Sequence, residues 1–170
     1  MKKISKLDEY LFDLNGYLII NNALNKKELK DLNNILDKLK NIKNDEWAGH
    51  VHGHNYGGKE GLNLQQIYEA GKPFEKLIDH PSWINHMLHF VGGKGTFDHL
   101  HGPLFIDENF ANIRGPGEAI GIHSGNPEGL QRNHYRYQNG KFHCSQVNIL
   151  LALTNICLLY TSDAADDAGS

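Results

Sequence analysis

The sequence predicts an α+β fold, mainly β, with helices toward the N-terminus and strands after them. Three observations predict it. Leu29, Leu32, Ile35, Leu36 and Leu39 recur at helical spacing, with Lys, Asp and Asn on the other face. From Thr96 onward, short runs of strand-favouring residues are separated by Gly, Pro and Asn. Finally, Asn139-Gly140 lies between two alternating segments, and that dipeptide supplies the positive φ angles of a type I′ hairpin turn.

Taken in order, residues 4–14 read as a short helix and Gly16-Tyr17-Leu18-Ile19-Ile20 as an apolar strand. Asn25, with Glu28 three positions later, is expected to cap the amphipathic helix. Residues 44–61, rich in Gly and His, read as a long loop that covers a site. Short helices are expected at 64–70 and 73–79. A further helix at 81–91 would be opened by Pro81 and closed by Gly92. On it Trp83, Ile84, Met87, Leu88 and Val91 face a core. Strands are expected at 96–100, 103–107, 118–123, 134–138 and 141–154. The last of these carries the run 147–154, apolar on both faces, and reads as a central strand of a sandwich or barrel.

The 170 residues are 39% hydrophobic with a formal net charge of -3, which describes one globular domain with a real core. Positive and negative side chains are interspersed, so no footprint for nucleic acid or an anionic membrane surface emerges. No apolar run approaches the roughly 20 residues that span a bilayer, and Met1-Lys2-Lys3 leads into charged sequence. The expected location is the cytoplasm. Two cysteines, Cys144 and Cys157, are too few for a disulfide framework, and Cys144 reads as a small buried hydrophobe. All eleven histidines lie between His50 and His143, which places any chemistry in the middle of the chain. Phosphate-loop, Ser-His-Asp and reactive-cysteine phrases are missing, which removes the commoner nucleotide-binding and hydrolase classes.

Five phrases in order carry a resemblance. Phe12-Asp13-Leu14-Asn15-Gly16-Tyr17-Leu18-Ile19-Ile20 with Leu24-Asn25-Lys26-Lys27-Glu28-Leu29 comes first, then Phe74-Glu75-Lys76-Leu77-Ile78-Asp79-His80-Pro81. Phe97-Asp98-His99-Leu100-His101-Gly102-Pro103, Gly121-Ile122-His123-Ser124-Gly125 and Ala152-Leu153-Thr154-Asn155 complete the series. Over about residues 10–156 the chain resembles the phytanoyl-CoA dioxygenase family of iron(II)/2-oxoglutarate-dependent oxygenases. The resemblance implies an incomplete double-stranded β-helix, jelly-roll or cupin-like, with residues 1–95 as its helical part and 96–156 as its first half. It implies iron(II) as cofactor, 2-oxoglutarate as cosubstrate and a small organic molecule as the substrate hydroxylated. It also implies a Pro-Gly-Ser-His phrase and a later Arg after position 156. Without them the 170-residue chain is expected not to turn over.

In that family two histidines and one carboxylate hold the iron, leaving three positions for cosubstrate and oxygen. His123 stands where the first ligand is expected, but Gly125 stands where the carboxylate of a His-x-Asp phrase belongs. Three readings remain: Glu128 swings in from the same loop, two histidines and water serve, or a halide fills the place as in halogenating relatives. Tyr135 and His143, on the predicted hairpin, are candidates for the cosubstrate's surroundings. The competing class is a non-catalytic metal-binding or ligand-binding protein that keeps the shell of the fold. His50, His52 and His54 alternate and would form a metal clamp on a strand, or line an entrance on a loop. His86 and His89 read as a solvated helix face, and His99 and His101 as pocket or scaffold residues.

Residues 157–166, Cys-Leu-Leu-Tyr-Thr-Ser-Asp-Ala-Ala-Asp, resemble the translation of a transposase-type sequencing adaptor. The expected native sequence stops near Ile156, with 157–170 a foreign tail.

Overall fold

The computed structural model describes residues 4–56, 59–91, 104–120, 135–138 and 141–155. They form a mixed α+β arrangement with two compact units. None of the helices described is long and apolar enough to cross a membrane.

One unit comprises Met1–Asn25, Asp79–Ile106 and Ser124–Leu150. Its first helix, α1 (Lys6–Asn15), begins with a reciprocal capping box. The Asp8 backbone N–H donates to Ser5 Oγ at 3.0 Å and the Ser5 N–H to Asp8 Oδ2 at 3.0 Å. Two donors that a helix start leaves without partners are thereby satisfied. At the other end Gly16 adopts φ 76°, and its N–H reaches Phe12 O at 2.8 Å. Phe12 is buried and stacks on Phe90 with centroids 4.1 Å apart. Phe90 ends a later helix, Ile84–Phe90. Just before that helix, buried His80 and Trp83 stack at 4.4 Å. Ser82 ties the turn down, its hydroxyl donating to Ala23 O at 2.6 Å and its N–H to His80 Nδ1 at 3.3 Å. The hairpin Tyr135–Gln138 and Lys141–Cys144 completes what is described of this unit. Gln138 pairs with Lys141 across a two-residue connection, as Asn139-Gly140 predicts.

The other unit comprises Lys26–Ile78, Asp107–His123 and Leu151–Ser170. Helix α2 (Lys26–Leu39) buries Leu32 at 1% exposure, matching the predicted apolar stripe. An antiparallel sheet follows with strand order β1 (Trp47–Ala48), β2 (Val51–His54), β3 (Leu62–Gln65), β4 (Phe110–Ile113). Between β3 and the rest of the chain sit a 3₁₀ turn, Ile67–Ala70, and the short helix α3 (Lys72–Glu75). The core of this unit is Leu32, Val51, Leu64, Ile67 and Phe74. In chain order Ile84–Phe90 is α4, and the hairpin strands are β5 and β6.

Several sequence expectations need correction. Residues 16–20 form no strand, and Tyr17 and Ile19 are exposed, because none of the described segments offers them a ladder. Residues 44–61 are not one loop: β1 and β2 form a tight hairpin there, with Gly49 at φ 62° in its turn. The helix expected at 64–70 gives way to β3, since Leu62–Gln65 pairs on both sides and buries Leu64 completely. Only a 3₁₀ turn, Ile67–Ala70, follows Gln66, whose φ is 57°. The helix at 73–79 shortens to α3, and that at 81–91 to α4, because the His80 carbonyl holds the N–H groups of Trp83 and Ile84 in a turn. Of the residues expected to face the core along 81–91, only Trp83 is fully buried, and Phe90, not predicted, joins it.

Farther along, residues 104–107 and 118–120 carry no strand, and the Glu118 N–H folds back on Gly115 O at 3.2 Å. β4 lies between them, unpredicted. The long strand at 141–154 stops at Cys144. Leu150 is 92% exposed, and the Leu153 carbonyl is met by the Asn33 side chain at 2.8 Å instead of by a ladder. Residues 96–100, the rest of 103–107 and 118–123, and the tail from 156 lie outside the described residues.

Candidate functional site

The best-built constellation of polar side chains stands on the outer face of β2. Successive strand residues alternate faces. Val51 and Gly53 turn inward and are buried, while His52 and His54 share the other face. Gly53 is required by close approach: a Cβ there would meet the Lys43 carbonyl oxygen, and Ile42 Cγ2 at 2.6 Å.

The two imidazoles belong to a row of rings. Trp47 stacks on His52 with centroids 4.5 Å apart and planes 26° apart. His52 and His54 are 5.9 Å apart at 36°, and Tyr56 meets His54 edge-on at 4.3 Å. Across the ladder, His52 pairs with Gln65 and His54 with Asn63, which is buried. Gln65 Nε2 donates to the Tyr56 hydroxyl at 2.9 Å and to Asn63 Oδ1 at 3.2 Å. A carboxylate joins at one side, Asp45 Oδ1 lying 3.8 Å from His52 Nε2.

The turn that carries Asp45 is fastened to β2 at two points. The Asp45 N–H donates to Gly53 O at 2.8 Å, and the Asn55 N–H to Asn44 Oδ1 at 2.8 Å. Asp45 itself has φ 63°, a conformation that Asp tolerates better than most residues. Asn44 Nδ2 engages Asp45 Oδ2 at 2.8 Å, leaving Oδ1 toward His52.

The candidates picked from the sequence fall elsewhere. His123 and Glu128 lie outside the described residues, as do His99 and His101. Tyr135 pairs with Cys144 and His143 with Arg136, so Tyr135 and His143 occupy register positions of opposite parity in the hairpin. Cys144 is half-buried, not fully buried, and its thiol donates to Gln146 O at 2.9 Å; burial pushes this thiol above its ordinary value. His89 stands at the edge of α4, 3.9 Å from Glu9, and His86 lies against Phe90. Of the three alternating histidines, His52 and His54 are brought together on a strand, and His50 falls in the turn before it. Sequence reasoning missed Asp45, Trp47 and Tyr56 as their companions. The signal was the alternation of Trp47, His52, His54 and Tyr56 about the Gly49 turn.

Among the described residues, no three or more His, Cys, Asp or Glu side chains stand together as a complete metal-holding group. Comparison with family models, curated proteins and solved structures returned no match.

Proposed function

We propose that the chain supplies the helical part and first strands of an iron(II)/2-oxoglutarate-dependent oxygenase that hydroxylates an unactivated carbon of a small organic substrate. The observation that carries this reading is the order of the five family-like phrases between Phe12 and Asn155. The α+β arrangement and the hairpin on either side of Asn139-Gly140 are compatible with it. The double-stranded β-helix is the finer form of the fold that this reading requires.

On this reading His123 is an iron ligand, with Glu128, water or a halide in place of the carboxylate absent at Gly125. Dioxygen would be the oxidant, with bound iron(II) activating it and 2-oxoglutarate giving up two electrons and CO2 to become succinate, and the chain would supply ligand geometry and a dry pocket. Tyr135 and His143 remain candidates for contact with the cosubstrate.

The test uses the complete coding region from which the chain derives. The enzyme, given iron(II), 2-oxoglutarate and pools of small organic substrates, is expected to release succinate in a substrate-stimulated manner. His123→Ala should abolish that release. Unchanged succinate formation in His123→Ala, or none with any pool in the unaltered enzyme, would remove the basis for the reading. Chloride-dependent product halogenation in place of hydroxylation would identify the halide reading of Gly125.

A further inference from the structure

We propose that the outer face of β2 is a two-histidine binding site for a divalent transition-metal ion, with His52 and His54 as the protein ligands and Asp45 holding His52 in place. The proposal is independent of the oxygenase reading, since it shares no residue with it.

Imidazole is a favoured ligand for zinc, copper and nickel. A metal bound at the usual 2.0–2.1 Å lies about 3.2 Å from a ring centroid, so two rings at tetrahedral angles stand about 5.2 Å apart. The observed separation is 5.9 Å, and the planes are already within 36° of each other. The two rings are therefore within about 1 Å of the separation that a shared tetrahedral metal requires. No hydrogen bond among the described residues uses an imidazole nitrogen of His52 or His54.

The surroundings match what a ligating histidine needs. Such a histidine usually directs its second ring nitrogen at a carboxylate, which fixes its orientation and raises its basicity. Asp45 Oδ1 faces His52 Nε2 at 3.8 Å, leaving Nδ1 of that ring for the metal. The carboxylate is not adventitious in position, because its own backbone N–H is bonded to Gly53, the residue between the two ligands. Trp47 stacks on one face of the His52 ring. With two protein ligands the remaining coordination positions stay open to water or to a small ligand.

The full 170-residue chain, freed of metal, is titrated with copper(II), nickel(II) and zinc(II) by calorimetry. The expected result is one site per chain on this face, tightest for copper. His52→Gln and His54→Gln should each weaken it at least about tenfold, and Asp45→Asn by about tenfold. His123→Ala should leave it unchanged, which separates this site from the proposed iron site. A measurement on the unaltered chain guards against variants that misfold. The sequence has two tryptophans, Trp47 and Trp83. Substoichiometric copper(II) should broaden the Trp47 indole N–H resonance, since Trp47 stacks on His52. Wild-type affinity in both histidine variants, no broadening at Trp47, or no saturable binding would each overturn the proposal.

Discussion

Replacing Gly53 by Ala tests the packing beneath β2 with a single methyl group. The added Cβ would collide with the Lys43 carbonyl oxygen and lie 2.6 Å from Ile42 Cγ2. The Ile42 methyl can rotate away, but the Lys43 carbonyl is backbone. Its segment is also held by the Asp45 and Gly53 N–H groups, bonded to Gly53 O at 2.8 Å and Glu46 O at 2.9 Å. The strand or the 42–46 segment must therefore move, at an overpacking cost of about 1–3 kcal/mol. Removing a glycine from a strand works in the opposite direction by about 0.5–1 kcal/mol. The central expectation is a loss of about 1.3 kcal/mol, which for a chain of this size lowers the melting temperature by about 3–5 °C. Thermal and urea melts followed by far-ultraviolet circular dichroism measure it. Gly117→Ala serves as a comparison, because Gly117 has open space around its Cβ position and only its φ of 80° to resist substitution. If Gly53→Ala melts with the unaltered chain, residues 42–43 do not pack against Gly53 as closely as described and the reasoning fails.

Leu64, fully buried at the centre of the four-stranded sheet, should lose about 2–5 kcal/mol on replacement by Ala, read from urea midpoints at unchanged slope. Ser5→Ala removes half of the α1 capping box and should cost about 0.5–2 kcal/mol, with the earliest amide exchange appearing in residues 6–9. Cys144 should be slow to alkylate. Burial favours its protonated form, so the folded chain keeps the thiol proton at pH values where the unfolded chain, near the ordinary 9.0, has begun to lose it. Its contribution to stability is whole below about pH 9 and declines as pH rises through the folded value. In a Cys157→Ser background, iodoacetamide labelling of folded protein should lag that of urea-unfolded protein most clearly near pH 9. Equal rates would show that the thiol is not shielded.

What the sequence disclosed depended on whether the information was local. The α2 stripe around Leu32 needs only one helix face and one core, and its period states both. The β5–β6 hairpin was equally legible, since the Asn139-Gly140 dipeptide predicts the observed pairing of Gln138 with Lys141. Strands that depend on distant partners were not. Residues 16–20 and 147–154 have the composition of strands but join no ladder among the described residues, whereas Leu62–Gln65 resembles a helix start yet is captured between β2 and β4. The β1–β2 hairpin was obscured by its glycines, although Gly49 and Gly53 do different work there: one turns the chain, the other admits a neighbouring backbone. The histidine pair was visible as an alternation. Asp45 was not, because its place beside His52 is set by a backbone hydrogen bond to Gly53 that no spacing rule announces.

The last strand of the four-stranded sheet arrives late. β3 ends at Gln65, and its second neighbour begins at Phe110, about 45 residues later. The intervening sequence includes Asp79–Ile106, which belongs to the other unit. On a ribosome adding about 5–20 residues per second, β3 is complete some 2–9 s before β4 exists. During that interval the side of β3 that β4 later covers is unpaired, a row of amide and carbonyl groups able to accept an extended chain nearby. Neither unit can be excised by a single cut, since the polypeptide passes between them more than once. A nascent chain halted between 65 and 110 would thus present a sticky sheet, and a holdase chaperone would be expected to bind it there and release it once Phe110–Ile113 has emerged.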